Sequence, residues 1–188
     1  MDKDFRELQK FIDNQDSLAV VCHKRPDGDA LGSLLAWTAY LEAQGKNVEA
    51  YCFDAIPDYF KVFLPQIERV RRQVDDFWRA APAIVLVDCG DLAMPGIAAE
   101  LFADKRLALI DHHASNPRYG EVNCLAPAAS ATAELIFNYF EFAGFSLDKN
   151  SATQLFTGIY TDTDAFSNLG TTPEALRISS LLLKQGAN

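Results

Sequence analysis

The sequence has no long apolar run, and its first residues, MDKDFRELQKFI, mix both charge signs. A membrane span needs about 18 or more consecutive apolar residues, and a secretory signal needs an apolar stretch of about 7–15 residues. Neither pattern occurs in the sequence. We therefore expect a soluble protein that is not exported and has no membrane partner.

Cysteine is scarce, because the chain has only four and no two of them form a CxxC pair. Cys22 and Cys89 end or follow apolar runs, where a buried thiol fits. Reduced thiols in a cytoplasmic protein are the simplest interpretation of this pattern.

Positive charge is also in short supply. Lysine and arginine total 17 against 26 aspartates and glutamates, which gives a formal net charge of −9. Such a surface has no broad basic field that could grip duplex DNA through its phosphates. An anionic substrate must therefore be held by a few local groups.

What the sequence does contain is enough apolar material for a core, since 49% of its 188 residues are hydrophobic. Apolar runs of strand length alternate with helical patterns, which is typical of parallel strands joined by crossover helices. We expect an α/β fold with a doubly wound parallel sheet flanked by helices. The predicted strands are 17–22, 47–53, 83–87 and 107–110, and the predicted helices are 4–14, 30–44, 95–102, 130–142, 151–160 and 173–184. Residues 57–79 carry only short helical patterns.

Ionisable residues directly follow three of the predicted strands. SLAVVC runs into His23, AIVLV runs into Asp88, and LALI runs into Asp111, His112 and His113. Ligands of open α/β sheets bind in the crevice outside the carboxyl ends of the strands. One crevice can therefore collect all three groups, which include every histidine of the chain.

This combination of histidine and aspartate favours a metal site. A lone histidine is more often an ordinary core or surface residue, but here three histidines all have aspartate neighbours. Imidazole and carboxylate ligands without thiolate favour Mn²⁺, with Mg²⁺, Fe²⁺ or Co²⁺ as alternative ions. They do not favour a structural zinc site built on cysteine.

The spacing favours two ions over one. Asp27 and Asp29 flank Gly28, which relaxes the turn so that the two carboxylates can point toward neighbouring ions. Asp88, at the tip of the next buried strand, is the natural bridge between them. Two metals about 3.5–4 Å apart can orient and deprotonate a water while clamping the attacking and leaving oxygens at phosphorus.

Four short segments, in order along the chain, form a recognisable set: 23–33 (HKRPDGDALGS), 88–91 (DCGD), 111–113 (DHH) and 158–164 (GIYTDTD). Each is weak alone, but four in order are specific. They resemble the motifs of the DHH phosphoesterases. The combination is most similar to the branch that degrades very short RNAs and removes phosphate from 3′-phosphoadenosine 5′-phosphate (pAp). Its relatives include RecJ-like exonucleases, cyclic-dinucleotide phosphodiesterases and family II pyrophosphatases.

The resemblance implies roles for individual residues. His113 would face the phosphate and stabilise the transition state or leaving group, and Asp111 would orient His113. Arg118 and Arg25 lie near the motifs and are candidates for contacts with substrate phosphates. The implied metal ligands are His23, Asp27 and Asp88 for one ion, and Asp29, Asp88, His112 and Asp162 for the other.

Two departures from the family pattern stand out. The fourth motif usually reads Asp-Thr-Gly in this branch, whereas here Asp164 stands in the glycine position. The smaller C-terminal domain of the relatives, with its glycine-rich substrate-binding motif, has no counterpart. We therefore interpret residues 1–188 as the DHH catalytic domain alone, with 170–188 as the start of a linker helix.

The leading functional prediction is a two-metal phosphoesterase that hydrolyses short oligoribonucleotides, pAp, or both. Its partners would be short RNAs or small nucleotides, and a homodimer is compatible with it. Two alternatives use the same chemistry: a pyrophosphatase or exopolyphosphatase, and a cyclic-dinucleotide phosphodiesterase. A third, of a different class, is a non-catalytic module that senses a metal or nucleotide.

Overall fold

A five-stranded parallel sheet forms the centre of the protein in the computed structural model, which describes residues 1–188. The predicted α/β class with a parallel sheet between helices is confirmed. The strands are β1 (Ser17–Val21), β2 (Asn47–Tyr51), β3 (Ala83–Val87), β4 (Arg106–Asp111) and β5 (Val122–Leu125). The helices are α1 (Asp2–Asp13), α2 (Gly28–Ala43), α3 (Asp76–Ala80), α4 (Thr132–Ala143), α5 (Lys149–Asp162) and α6 (Pro173–Lys184), with three short 3₁₀ segments at Asp58–Val62, Pro65–Arg69 and Ala99–Phe102.

The strands explain the apolar runs of the sequence because both faces of the sheet are covered. Alternate side chains point to opposite faces of a strand. In β1, Leu18 and Val20 join a large core of 44 buried residues, while Ala19 and Val21 join a smaller core of 10. Long helices cover the first face, and α3 with irregular segments covers the second. A strand buried on both faces must be apolar at every position.

The order of the strands creates the crevice in which the functional residues meet. The order is β2-β1-β3-β4-β5, so the chain moves in one direction from β1 to β2 and in the other from β3 onward. The loops that follow β1 and β3 therefore separate at their carboxyl ends. Such a switch point is where open α/β sheets bind ligands.

Two glycines allow α2 and α5 to pack closely. A Cβ at Gly32 would lie 2.2 Å from the carbonyl oxygen of Gln154, and a Cβ at Gly158 would lie 2.6 Å from Asp29 Oδ1. Neither position accepts a larger residue without movement of the backbone. This close approach places the first turn of α2, which carries Asp29, beside the end of α5 at Asp162.

The structure corrects several predicted boundaries. Strand β5 was not predicted, because it has only four residues and includes the polar Asn123. The helix predicted over residues 95–102 does not form, and only Ala99–Phe102 adopt a 3₁₀ segment. Strand β2 ends at Tyr51 rather than at residue 53. All four cysteines are buried free thiols, as predicted for Cys22 and Cys89.

The last helix packs against the domain through Ala175, Ile178 and Leu182, which are fully buried. That residues 170–188 begin a linker remains a prediction, as does the cytoplasmic location. No helix combines the length and the apolar character that crossing a bilayer requires.

Candidate metal centre

The loop after β1 supplies the first group of side chains. Asp27 is the N-cap of α2, where its Oδ1 accepts a hydrogen bond of 2.9 Å from the Ala30 N–H, and its side chain is 54% exposed. His23 Nε2 lies 3.9 Å from Asp27 Oδ1 and 3.4 Å from Asp88 Oδ2. His23 Nδ1 lies 2.8 Å from the Lys24 carbonyl. In the tautomer that donates to this carbonyl, Nε2 presents its lone pair to the carboxylates.

Asp88 follows β3 directly and lies between two groups of side chains. It is 3% exposed, and its φ of 56° is in the left-handed region. Its N–H donates to the Ile110 carbonyl at 3.0 Å, which joins it to the end of β4. While Oδ2 faces His23, Oδ1 lies 3.7 Å from His112 Nε2. Asp88, the carboxylate that was predicted to bridge two ions, therefore lies between the two groups.

The second group combines residues from α2, from the loop that follows β4, and from α5. His112 Nε2 lies 3.4 Å from Asp162 Oδ2, and His112 Nδ1 lies 3.2 Å from the Ala129 carbonyl. Asp29 is fully buried, and its Oδ2 accepts a hydrogen bond of 2.7 Å from the Thr132 N–H. The ring orientation of His112 again leaves Nε2 for a ligand.

The structure brings together all six predicted ligands as groups that fit divalent cations. Each group has three donor atoms within 4.8 Å of one another, which is compact enough for one ion to contact all three. The donors are imidazole nitrogens and carboxylate oxygens with no thiolate, a set suited to Mn²⁺, Mg²⁺ or Co²⁺. The groups are His23, Asp27 and Asp88; Asp29, His112 and Asp162; and Asp88, His112 and His113.

The carboxylates repel one another strongly in this crevice. Burial, together with the charges of Asp88 and Asp162, raises the pKa of Asp29 well above its usual range. Burial likewise raises the pKa of Asp162 to about 6, against the opposing effect of His112. Bound cations would offset this unfavourable accumulation of negative charge.

Histidine and carboxylate also stabilise each other in the first group. Burial alone would lower the pKa of His23, but Asp88, the Lys24 carbonyl and Asp27 together outweigh burial and raise that pKa to about 9. Burial alone would raise the pKa of Asp88, but His23, His112 and His113 together hold it below its usual value. The ionised form of the buried Asp88 is thus favoured, whereas burial disfavours the ionised forms of Asp29 and Asp162.

Asp111 and His113 form a hydrogen-bonded pair beside the ligand groups. His113 Nδ1 lies 2.7 Å from Asp111 Oδ1, and Asn116 Nδ2 donates to Asp111 Oδ2 at 2.7 Å. The bond to Asp111 raises the pKa of His113, against the effect of burial. Sequence reasoning missed Asn116, since its contact with Asp111 depends on how the intervening turn folds.

An open cleft of about 470 Å³ adjoins the first group of ligands. Arg25 lines this cleft, and its side chain makes no ion pair. Arg118 does not line it and lies on an exposed turn, with its N–H bonded to Asn116 Oδ1 at 2.8 Å. Two further lining residues, Lys24 and Met94, are joined by a backbone hydrogen bond of 2.8 Å. Met94 has no sequence signal, because a lone methionine in a loop predicts no role.

The unusual Asp164 occupies a strained turn just beyond the last ligand. Its φ is 48°, and the next two residues, Ala165 and Phe166, have φ values of 58° and 64°. Glycine adopts this region without cost, which explains why the family pattern has glycine there. Asp164 is exposed and belongs to none of the ligand groups, with Asn168 Nδ2 at 3.3 Å from its carboxylate.

We expect Asp164→Gly to stabilise the protein by about 0.5–1 kcal/mol, because glycine removes the left-handed strain. Thermal unfolding should show a rise in Tm of about 1–4 °C for a domain of this size. Ala39→Gly, in the middle of α2, is the control and should lower Tm, because it adds chain entropy without relieving strain. An unchanged or lower Tm for Asp164→Gly would show that the aspartate stabilises the turn through its side chain.

Several known proteins are similar to this chain. The bifunctional oligoribonuclease and PAP phosphatase NrnA of Thermus thermophilus is 36% identical over 167 residues, covering 89% of this chain and 49% of that protein. An exopolyphosphatase-related protein from Bacteroides fragilis has a TM-score of 0.92 at 27% identity, covering 100% of this chain and 58% of that one. RecJ from T. thermophilus, solved in complex with Mn²⁺, shares the fold with a TM-score of 0.56 at 16% identity, covering 98% of this chain and 26% of that one.

The chain spans about half the length of the curated relatives it matches. The sequence profile of the DHH family, N-terminal domain, matches residues 17–159. That range is well over half of the chain and includes every proposed ligand except Asp162. The chain therefore belongs to the DHH family.

Proposed function

We propose that this chain is the catalytic domain of a phosphoesterase that hydrolyses short oligoribonucleotides, pAp, or both, with two divalent cations as cofactors. The observation that carries the proposal is the position of the buried Asp88 between two groups of ligand side chains. Each group is large enough for one ion. The similarity to NrnA supports the substrate class.

One cation would be held by His23, Asp27 and Asp88, and the other by Asp29, His112 and Asp162, with Asp88 contacting both. Mn²⁺ is the first choice for this set of nitrogen and oxygen donors. When bound, the two ions supply a nucleophile at neutral pH and stabilise the charge that develops at phosphorus.

The remaining side chains orient the substrate and move a proton. Asp111 holds the His113 ring through Nδ1, so Nε2 is the nitrogen available to the substrate. As the oxygen of water loses its proton to solvent and forms its bond to phosphorus, the ester P–O bond breaks and His113 donates a proton to the leaving oxygen. Arg25 binds phosphate oxygens of the nucleotide within the cleft, whereas Arg118, which lies outside the cleft, contacts a phosphate of the substrate that extends beyond it.

We expect Arg25→Gln and Arg118→Gln each to raise KM for a short RNA about tenfold, since a charge-assisted hydrogen bond contributes about 1.5–3 kcal/mol. Metal content should not change. Arg79→Gln is the matched control. Arg79 is exposed and precedes the amino end of β3, whereas the proposed site lies at the carboxyl ends of the strands. If the KM of one of these variants equals that of the control, the arginine changed in that variant does not bind substrate.

The proposal is tested by incubating the purified chain with Mn²⁺ and a dinucleotide, pAp, a cyclic dinucleotide or pyrophosphate in parallel. We expect hydrolysis of the dinucleotide or pAp at least about tenfold faster than that of the other two.

The second candidate, a pyrophosphatase or exopolyphosphatase, is favoured by the similarity to the exopolyphosphatase-related protein. Preferential release of phosphate from pyrophosphate would support it and contradict the nucleotide proposal. A preference for the cyclic dinucleotide would support the phosphodiesterase alternative. Two bound ions with no hydrolysis of any substrate would instead support a sensing module.

A further inference from the structure

Thr132, the first residue of α4, contacts both buried carboxylates of the site. It is fully buried, and its N–H donates to Asp29 Oδ2 at 2.7 Å. Its hydroxyl donates to Asp88 Oδ1 at 2.9 Å. The two carboxylates belong to different ligand groups, so a single residue connects both groups to the same helix end.

The bond to Asp88 matters because the two oxygens of that carboxylate face different partners. Oδ2 lies 3.4 Å from His23 Nε2, whereas Oδ1 lies 3.7 Å from His112 Nε2. Rotation about the Cβ–Cγ bond of an aspartate is soft, so burial alone does not hold this orientation. The Thr132 hydroxyl is the neutral group that donates to Oδ1 and restricts the rotation.

We propose that Thr132 is a positioning residue that keeps Asp88 in the orientation needed to serve two cations at once. The inference rests on the proposed two-cation centre. Without the hydroxyl, the Asp88 carboxylate is free to turn both oxygens toward one ion. The ion on the His112 side is then held by fewer ligands and binds more weakly.

The alternative is that Thr132 simply helps to begin α4. The two roles are separable, because the bond to Asp29 comes from the backbone and survives any side-chain change. The same turn also has an independent hydroxyl contact, in which Ser130 Oγ donates to Glu134 Oε2 at 2.7 Å. Ser130 is buried, and its hydroxyl bonds to Glu134 and not to a proposed ligand, so Ser130→Ala measures the effect of losing a hydroxyl at this turn.

The test is a titration of the metal-free chain with Mn²⁺ that is monitored by calorimetry and by electron paramagnetic resonance. The wild type, Thr132→Ser and Ser130→Ala should each bind two ions and show the spectrum of a coupled pair. Thr132→Val keeps the shape and removes only the hydroxyl. It should bind one ion with nearly unchanged affinity and the second about 10–100-fold more weakly, the usual cost of losing a group that orients a ligand.

Two results would overturn the inference, and they are distinguishable. If Thr132→Val binds two ions as tightly as the wild type, Thr132 does not position Asp88, and the two-cation centre stands. If the wild type itself binds fewer than two ions, the proposed centre fails and the inference fails with it. Should the valine variant not fold by circular dichroism, Thr132→Ala is measured with the same two criteria.

Discussion

Asp88→Asn is expected to lose both cations together and to reduce hydrolysis by at least about 10³-fold. Asparagine has the size of aspartate and tolerates the positive φ of this position, so the fold should persist. It has no charge and only one oxygen, and therefore cannot serve two ligand groups. The loss should exceed the roughly 10–100-fold cost of removing a residue that only orients a ligand.

Two measurements test Asp88→Asn independently of activity: the metal content after dialysis, and the change in Tm when Mn²⁺ is added. A ligand at 100 times its Kd stabilises a fold by about 2.7 kcal/mol, so Mn²⁺ should raise the Tm of the wild type and leave that of the variant unchanged. Asp164→Asn is the matched control, since Asp164 also has a positive φ but is exposed and outside the ligand groups. Retention of two tightly bound ions by Asp88→Asn would show that Asp88 is not the bridge.

His113→Ala should keep both cations and reduce the rate by about 10²–10⁴-fold, the usual range for removing a general acid or base. The reason is that His113 Nδ1 is hydrogen-bonded to Asp111 at 2.7 Å, so this nitrogen is not free to bind an ion. We therefore expect the ring to transfer a proton rather than to act as a ligand. Steady-state kinetics with metal analysis on the same samples separate the two roles.

Asp111→Asn is the companion to His113→Ala. It removes the charge that orients His113 while the ring stays, so we expect a smaller loss of rate, again without loss of metal. Asn116 Nδ2 already donates to Asp111 Oδ2 at 2.7 Å, which helps to hold the new side chain in place. If His113→Ala instead loses metal in proportion to activity, His113 is a ligand, and the group of Asp88, His112 and His113 describes the site better.

Local patterns were sufficient to predict much of the fold. The predicted strand 83–87 matches β3 because AIVLV is an unbroken apolar run, and the helix predicted over 173–184 matches α6 because its apolar residues recur at helical spacing. Strand β5 was missed because four residues that include Asn123 do not form a recognisable apolar run. Its partner β4 stabilises it through a ladder that local sequence does not encode.

The sequence by itself determined which residues are candidates for the chemistry. Histidines and aspartates directly follow apolar strands, and the carboxyl ends of parallel strands lie at one edge of a sheet whatever their order. Their identities and their spacing were therefore readable from short segments, each independent of the rest of the chain.

Only the tertiary structure decided how those residues are arranged. The strand order, the two ligand groups on either side of Asp88, and the contacts made by Thr132 all join parts of the chain that are distant in sequence. Thr132 and Asp29 are 103 positions apart and meet because α4 begins where α2 and α5 pack closely. Such contacts depend on the packing of whole helices, which is a property of the assembled core and not of any local pattern.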